Sequence, residues 1–244
     1  MSCITILGIR VDDVTNDETL GLIESYIATR EPRQIATVNP EFIMAAQQDT
    51  EFRALLQHTA LNLPDGVGVV WAARRLGHPL RERVAGSDLI ALIAERAGRA
   101  GWKVYFLGAA EGVAQKAADV LKSRYPGFDG VGVFSGSPRI EEEEAIIDRV
   151  RAAAPDVLLV AYGAPAQDKW IARNLSKLNV PVCLGVGGSF DFIAGITQRA
   201  PQWMQRLGLE WLHRLIRQPW RWRRMLALPR FVWSVWREKK SMGV

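Results

Sequence analysis

The sequence predicts an α/β fold in which a mostly parallel β-sheet carries helices on both faces. Short segments rich in β-branched residues alternate with longer segments of helical periodicity, and this alternation is typical of repeated strand–helix units. The predicted strands are nearly all apolar, as expected where both faces of a sheet are buried. A length of 244 residues and a hydrophobic content of 48% are sufficient for one such Rossmann-like domain with an additional segment.

The predicted elements succeed one another in a regular order. The N-terminal segment has neither the basic region nor the long apolar core of a signal peptide. It is predicted to form a first strand instead. Further strands are predicted at Ile35–Asn39, Ala60–Leu63, Trp102–Leu107, Val131–Phe134, Val157–Tyr162 and Val182–Val186. Helices are predicted at Thr15–Thr29, Glu41–Gln57, Val67–Leu76, Asp88–Ala100, Gly112–Arg124, Glu141–Ala153 and Asp168–Leu175, and as a further set near the C-terminus.

The composition changes at Gln198, which divides the prediction into an α/β domain at residues 1–197 and a helical appendage at residues 198–244. Residues 199–244 hold six of the nine tryptophans and eleven of the 31 Lys and Arg residues, with only two acids. Their net charge is therefore +9, against −4 for the first 198 residues. An amphipathic helix is predicted first, and Pro219 and Pro229 divide the remainder of the appendage. The apolar stripe of this helix comprises Trp203, Leu207, Trp211 and Leu215.

This appendage is predicted to lie at a membrane surface. Tryptophan favours the membrane–water interface, and clustered arginine attracts anionic lipids or phosphates. The longest uncharged segments, such as Leu178–Phe190, are shorter than the roughly 18 apolar residues that span a bilayer. The alternative is a terminal helix that packs its apolar stripe on the domain and exposes a basic face to water.

Polar and glycine-rich segments come after several predicted strands, at the sheet edge where α/β proteins bind their ligands. Each segment has two interpretations. Asn39 is an N-cap or faces a ligand, and Asp65 is a turn residue or a general base. Arg83 precedes a helix N-terminus and either binds an anion or is solvated. The remaining candidates are Thr37, Gly108, Gln167, Gly187, Gly188 and Asp191.

Several common cofactor signatures are absent from the sequence. It contains neither the Gly-x-Gly-x-x-Gly dinucleotide pattern nor a phosphate loop ending in Gly-Lys-Ser/Thr. It has no Asp-x-Asp pair, and its three histidines and two cysteines lack metal-ligand spacing. We therefore expect no cofactor and no metal.

Six motifs in order carry a resemblance to a known family. They are Thr-Val-Asn-Pro-Glu-Phe, Pro-Asp-Gly-Val-Gly-Val-Val, Glu-Arg-Val-Ala-Gly-Ser-Asp, Phe-Leu-Gly, Gly-x-Pro-x-Gln-acid-x-Trp and Gly-Val-Gly-Gly-x-Phe-Asp. The chain resembles the bacterial N-acetylmannosaminyltransferase family of wall teichoic acid, enterobacterial common antigen and capsule synthesis (glycosyltransferase family 26). The similarity runs from about Ile4 to Phe231 and includes Glu-Trp-Leu-x-Arg and Pro-Trp-Arg-Trp-Arg-Arg in the appendage.

The resemblance implies an inverting transfer from a UDP-sugar to a saccharide on a polyprenyl diphosphate, at the cytoplasmic face of the bacterial inner membrane. It assigns Asp65 as the general base and Thr37 as a residue that orients the substrate. It also implies that the appendage closes over the site and supplies arginines. The implied nucleotide-sugar pocket contains Asn39, Gln167 and Asp191, and the implied appendage arginines are Arg214, Arg221 and Arg224.

The expected partners are therefore a UDP-sugar, a lipid-linked acceptor and a membrane surface, and a second copy of the chain stays open as a further partner. The donor sugar stays open between N-acetylmannosamine, its uronic acid, glucose and glucuronic acid. A non-catalytic, nucleotide-binding membrane adaptor is the main alternative, in which Asp65 is only a cap. Nucleic-acid binding is disfavoured, because the domain is acidic and contains no nucleic-acid-binding motif.

Overall fold

In the computed structural model, which describes residues 1–206 and 208–241, the chain folds around a parallel β-sheet. The side chains of residues 202, 206, 221, 240 and 241 lie outside this description. The strands are β1 (Cys3–Ile6), β2 (Ile9–Asp12), β3 (Arg33–Val38), β4 (Leu61–Pro64), β5 (Lys103–Gly108), β6 (Asp129–Phe134), β7 (Val157–Ala161) and β8 (Val182–Gly185).

The helices of the domain cover both faces of this sheet. They are α1 (Asn16–Thr29), α2 (Pro40–Ala46), α3 (Thr50–His58), α4 (Val67–Arg75), α5 (Gly86–Ala100), α6 (Val113–Arg124), α7 (Ile140–Ala153), α8 (Ala166–Leu178) and α9 (Ser189–Ile193). The C-terminal region contains α10 (Gln202–Arg206), α11 (Glu210–Arg217), a 3₁₀ turn (Pro219–Arg221), α12 (Trp222–Met225) and α13 (Ala227–Ser241).

The six strands of the main sheet are ordered β4-β3-β8-β7-β5-β6, and every pairing is parallel. This confirms the predicted α/β class. The central strands β7 and β8 are buried along their whole length, which explains their continuous apolar sequence. Strands β3 and β8 are neighbours, so the segments after them, at residues 39 and 186, open on the same edge of the sheet.

Two predictions in the N-terminal third are wrong. The single predicted first strand is an antiparallel hairpin of β1 and β2, because Leu7 and Gly8 both adopt positive φ, of 50° and 77°, and form a tight turn. The single predicted helix at Glu41–Gln57 is two helices, α2 and α3. The side chain of Asp49 accepts a hydrogen bond from the Phe52 amide at 2.9 Å and thereby starts the second helix.

The predicted divisions of the appendage are also corrected. The amphipathic helix is interrupted between α10 and α11, where Gly208 has a φ of +72°; Leu207 lies outside the described residues. Pro229 does not end a helix, because it lies in the first turn of α13, where backbone amides have no intrahelical acceptor. The short helix α9 was not predicted, since it comes directly after a glycine-rich segment.

The last helix packs onto the domain. Phe231 and Val235 are 1% and 0% exposed and join an apolar cluster with side chains of β1, β2, α2, α3 and α4. The Leu7 amide in the hairpin turn donates to both carboxylate oxygens of Glu238, at 3.1 and 3.2 Å. Among the described residues, no helix combines the length and the apolarity that crossing a bilayer requires.

Candidate active site

A cavity of about 820 Å³ lies at the carboxyl ends of β3, β4, β7 and β8 and is bounded on its other side by the C-terminal helices. It brings together residues as far apart in the chain as Thr37 and Val232. Ten of the predicted site residues line it, namely Thr37, Asn39, Asp65, Arg83, Gln167, Gly187, Gly188, Asp191, Arg214 and Arg224.

Among the described side chains, one predicted site residue, Gly108, is not among the residues that line this cavity. Gly108 packs instead against the neighbouring strand, where a side-chain carbon would come within 2.9 Å of the Ala161 backbone. Its function in the structure is therefore close strand packing at a φ of +96°, and the next residue, Ala109, lines the cavity. The side chain of Arg221 lies outside the described part of the chain.

Asp65 comes directly after β4 and is partly accessible through the cavity. Loss of solvation raises the pKa of its carboxyl group to about 6. The Arg83 guanidinium and the Gly86 amide at the start of α5 oppose this rise in pKa, whereas the negative charges of Glu210 and Asp88 add to it. A carboxylate with this pKa is ionised near neutral pH and still accepts a proton effectively.

Thr37 and Asn39 occupy the end of β3. Thr37 is buried, its hydroxyl lies 3.4 Å from the Gly185 carbonyl on β8, and its methyl group packs against Gly86. Asn39 caps α2, because its side-chain oxygen accepts a hydrogen bond from the Phe42 amide at 3.1 Å. This cap leaves the side-chain NH₂ group of Asn39 available to a ligand in the cavity, so the two interpretations of this residue are compatible.

Gln167 connects two backbone segments at the cavity wall. Its side-chain oxygen accepts hydrogen bonds from the Gly163 amide at 3.1 Å and from the Gly187 amide at 2.9 Å. Gly187 has a φ of +52°, a conformation that glycine adopts at low cost. Gln167 therefore fixes the shape of the wall that faces a ligand.

The neighbouring acid, Asp168, is fully buried beneath this wall. Burial raises the pKa of its carboxyl group to about 7, and the Gln167 amide partly opposes this increase. Neither of its oxygens has a geometrically satisfactory hydrogen bond to the described residues. Both Asp168 and Gln167 contact the position where Gly185 would carry a side chain, so Gly185 is required for their packing.

Arg214 of α11 crosses from the C-terminal region into the cavity. Its guanidinium stacks on Phe192, 5.0 Å from the ring centroid, and contacts Gly188, where a side-chain carbon would lie 2.6 Å from Nη2. Burial lowers the pKa of Arg214, and its Nε has no hydrogen-bond partner among the described residues. A desolvated guanidinium with an unpaired donor is suited to binding an anion.

Arg224 of α12 lies on the same side of the cavity and pairs with Glu41 of α2. The Arg224 Nη2 to Glu41 Oε2 distance is 2.7 Å, and Nε donates to the same oxygen at 2.9 Å. A further arginine of α11, Arg217, lies at the end of that helix and bonds to Gln198. Sequence reasoning assigned no role to Glu41 or Glu210, although both residues lie in motifs of the family resemblance and line the cavity.

The chain matches a family of known proteins. Residues 4–243 match the model of the glycosyl transferase WecG/TagA/CpsF family. The chain belongs to this family. The match covers almost the whole sequence, including the appendage, and the resemblance inferred from the six motifs is confirmed.

Relatives of known name cover most of the chain. A Bacillus subtilis (strain 168) protein is 35% identical over 220 residues, which is 90% of this chain and 85% of the relative. A Bacillus spizizenii protein is 34% identical over 217 residues, 89% of this chain and 84% of the relative. A Staphylococcus aureus (strain MW2) protein is 29% identical over 242 residues, 98% of this chain and 94% of the relative. Each is named N-acetylglucosaminyldiphosphoundecaprenol N-acetyl-beta-D-mannosaminyltransferase.

Within this WecG/TagA/CpsF family member, the cavity combines three kinds of group. A carboxylate with a raised pKa, Asp65, lies near the glycine-rich end of β8, and guanidinium groups from the appendage reach the same space. Such a set can deprotonate a hydroxyl group and stabilise a phosphate leaving group in one cavity. No three His, Cys, Asp or Glu side chains of residues 1–206 and 208–241 come together in a way that could hold a metal ion.

Proposed function

We propose that this protein transfers a sugar from a UDP-sugar to a saccharide on a polyprenyl diphosphate, with inversion at the anomeric carbon. The observation that carries the proposal is Asp65, a carboxylate with a pKa of about 6 in a cavity that arginines of the C-terminal helices also line. The names of the relatives support N-acetylmannosamine as the sugar and an N-acetylglucosamine-bearing undecaprenyl diphosphate as the acceptor.

The proposed reaction is a single displacement. Asp65 accepts the proton of the acceptor hydroxyl group while that oxygen forms a bond to the anomeric carbon of the donor. The bond between the anomeric carbon and the β-phosphate oxygen breaks, and UDP leaves with that electron pair. Because attack and departure occur on opposite faces of the same carbon, the configuration inverts.

Two arginines are proposed to stabilise the departing diphosphate. Arg214 is desolvated and retains an unpaired donor, and Arg224 lies near it on the next helix. In a water-excluded site, fixed positive groups stabilise developing negative charge strongly. We propose that they do so without a metal ion, and that the donor nucleotide contacts Asn39, Gly188 and Asp191.

The appendage is proposed to hold the protein at the cytoplasmic face of the membrane. Five tryptophans outside the cavity are between 46% and 73% exposed, and arginines and lysines lie between them. Exposed apolar rings beside cations are typical of interfacial binding. These residues are Trp203, Trp220, Trp222, Trp233 and Trp236.

Substitution of serine for Trp203, Trp220 and Trp233 together is expected to lower binding to anionic phospholipid vesicles by at least about tenfold, since each ring contributes on the order of 1 kcal/mol at the interface. Co-sedimentation with vesicles measures this change. Ile140→Ser is the matched control, because Ile140 is an equally exposed apolar residue, 72% accessible, at the start of α7. Equal binding of the triple variant and the control would contradict the membrane role.

The function itself is tested by measuring UDP release from a panel of UDP-sugars in the presence of EDTA, with and without a polyprenyl-diphosphate-linked N-acetylglucosamine in detergent. Acceptor-dependent release from one donor is expected and identifies that donor. Nucleotide binding without release from any donor would favour the adaptor alternative, in which Asp65 has no chemical role.

A further inference from the structure

Four charged side chains form a closed ring at the edge of the cavity. Arg199 binds Asp88 through both of its terminal nitrogens, with Nη2 at 3.0 Å from Oδ2, and its Nε donates to Glu210 at 3.0 Å. Arg83 completes the ring, because its terminal nitrogens lie 3.7 Å from Glu210 and 3.7 Å from Asp88. Two members, Arg199 and Glu210, belong to the C-terminal region, and the other two belong to the α/β domain.

We propose that Glu210 is a positioning residue, through which the docked C-terminal region restrains Arg83 and so preserves the strength of Asp65 as a base. This inference rests on the proposed function for its catalytic consequence. Glu210 and Arg83 both line the cavity, whereas Arg199 and Asp88 are not among the lining residues. Arg199, held by Asp88, thus anchors Glu210. Glu210 in turn pairs with the Arg83 guanidinium, which lines the cavity.

The pKa of Asp65 depends on the charges around it, above all on the Arg83 guanidinium. Arg83 has three carboxylates in its surroundings, Asp65, Asp88 and Glu210, and the last two already hold it in the ring. Without Glu210, Arg83 loses one of its two partners and is drawn toward Asp65. Both the loss of a negative charge and this approach of a positive charge lower the pKa of Asp65. The other charged residues among the described side chains that line the cavity, on other elements, are Glu41, Asp191, Arg214 and Arg224.

The first experiment compares pH–rate profiles of the full-length protein and two variants. Glu210→Gln is expected to move the acid limb of kcat/KM to lower pH, so that the ratio of kcat/KM at pH 5 to kcat/KM at pH 8 rises about threefold, while the plateau falls about twofold. Glu210→Asp, which keeps the charge, is expected to retain the original limb. Glu143→Gln is the matched control, since Glu143 pairs with Arg173 and does not line the cavity.

The second experiment does not depend on activity. The gain in unfolding temperature caused by Asp65→Asn is measured between pH 5 and pH 8, once with Glu210 present and once with Gln at that position. A smaller pH-dependent gain is expected in the Gln background, because Asp65 then ionises at lower pH. An unchanged acid limb together with equal gains in both backgrounds would overturn the inference. If the unmodified protein transfers no sugar, the proposed function fails. The comparison of unfolding temperatures in the two backgrounds still decides the role of Glu210.

Discussion

Asp65→Asn is expected to reduce sugar transfer by about 10²- to 10⁴-fold, because asparagine has nearly the same shape and cannot accept the proton of the acceptor hydroxyl group. Acceptor-dependent UDP release measures the loss. In the unmodified protein kcat/KM is expected to rise with pH through about 6, the pKa of Asp65. The variant is expected to lack this rise.

The same substitution is expected to stabilise the fold at alkaline pH. The pKa of Asp65 is higher in the folded protein than in the unfolded chain. The protonated carboxyl group therefore favours the folded state at low pH, and this contribution to the free energy of unfolding is lost as pH rises through about 6. The variant should match the unmodified protein near pH 4 and exceed it at pH 8 by on the order of 1–2 kcal/mol, since the carboxyl group is partly accessible.

A variant that is more stable and inactive excludes unfolding as the cause of lost activity. Asp129→Asn is the control, because Asp129 is exposed and pairs with Lys122 on the surface. Retention of more than a tenth of the transfer rate in Asp65→Asn would show that Asp65 is not the base.

Arg214→Ala is expected to reduce kcat by about 10²- to 10³-fold, because it removes a desolvated guanidinium from the proposed position of the leaving diphosphate. Arg214→Lys keeps the charge and loses the planar donor set, so an intermediate rate is expected. Single-turnover measurements with saturating donor separate this change in the chemical step from weaker binding.

The matched control for this second prediction lies on the same helix. Arg217 lies three residues after Arg214, is exposed, and bonds to Gln198 outside the residues that line the cavity. Arg217→Ala removes the same charge from α11 and is expected to change the rate less than twofold. Equal losses in the two variants would mean that the net charge of the appendage, and not a contact of Arg214, supports the reaction.

Removal of the whole appendage is a poor test of its membrane role and of its role in catalysis. Phe231 and Val235 are buried between elements of the domain, and Glu238 binds the hairpin turn. Truncation at residue 198 would therefore expose part of the apolar core and leave Arg83 without one ring partner. Point substitutions at exposed tryptophans and at single arginines avoid this problem.

Much of the fold could be predicted because it depends on local patterns. Apolar segments with few polar residues become the central strands β7 and β8, and a glycine or capping residue after a strand starts the next helix. Three of the wrong predictions depend on single residues: Asp49 begins a helix, Leu7 forms a turn, and Pro229 is accommodated in the first turn of a helix. Their effect depends on which backbone groups remain unpaired, and periodicity does not report this.

The chain's residue pattern was enough to establish the α/β class, the family and the segments that approach a ligand, because these depend on apolar periodicity and short motifs. Only the tertiary structure could show which groups meet. It excluded Gly108 from the residues that line the cavity, joined Arg199 and Glu210 to Asp88 and Arg83 of the domain, and buried Phe231 in the core. Distances, desolvation and pairing of charges arise between residues far apart in the chain, so spacing along the sequence cannot reveal them.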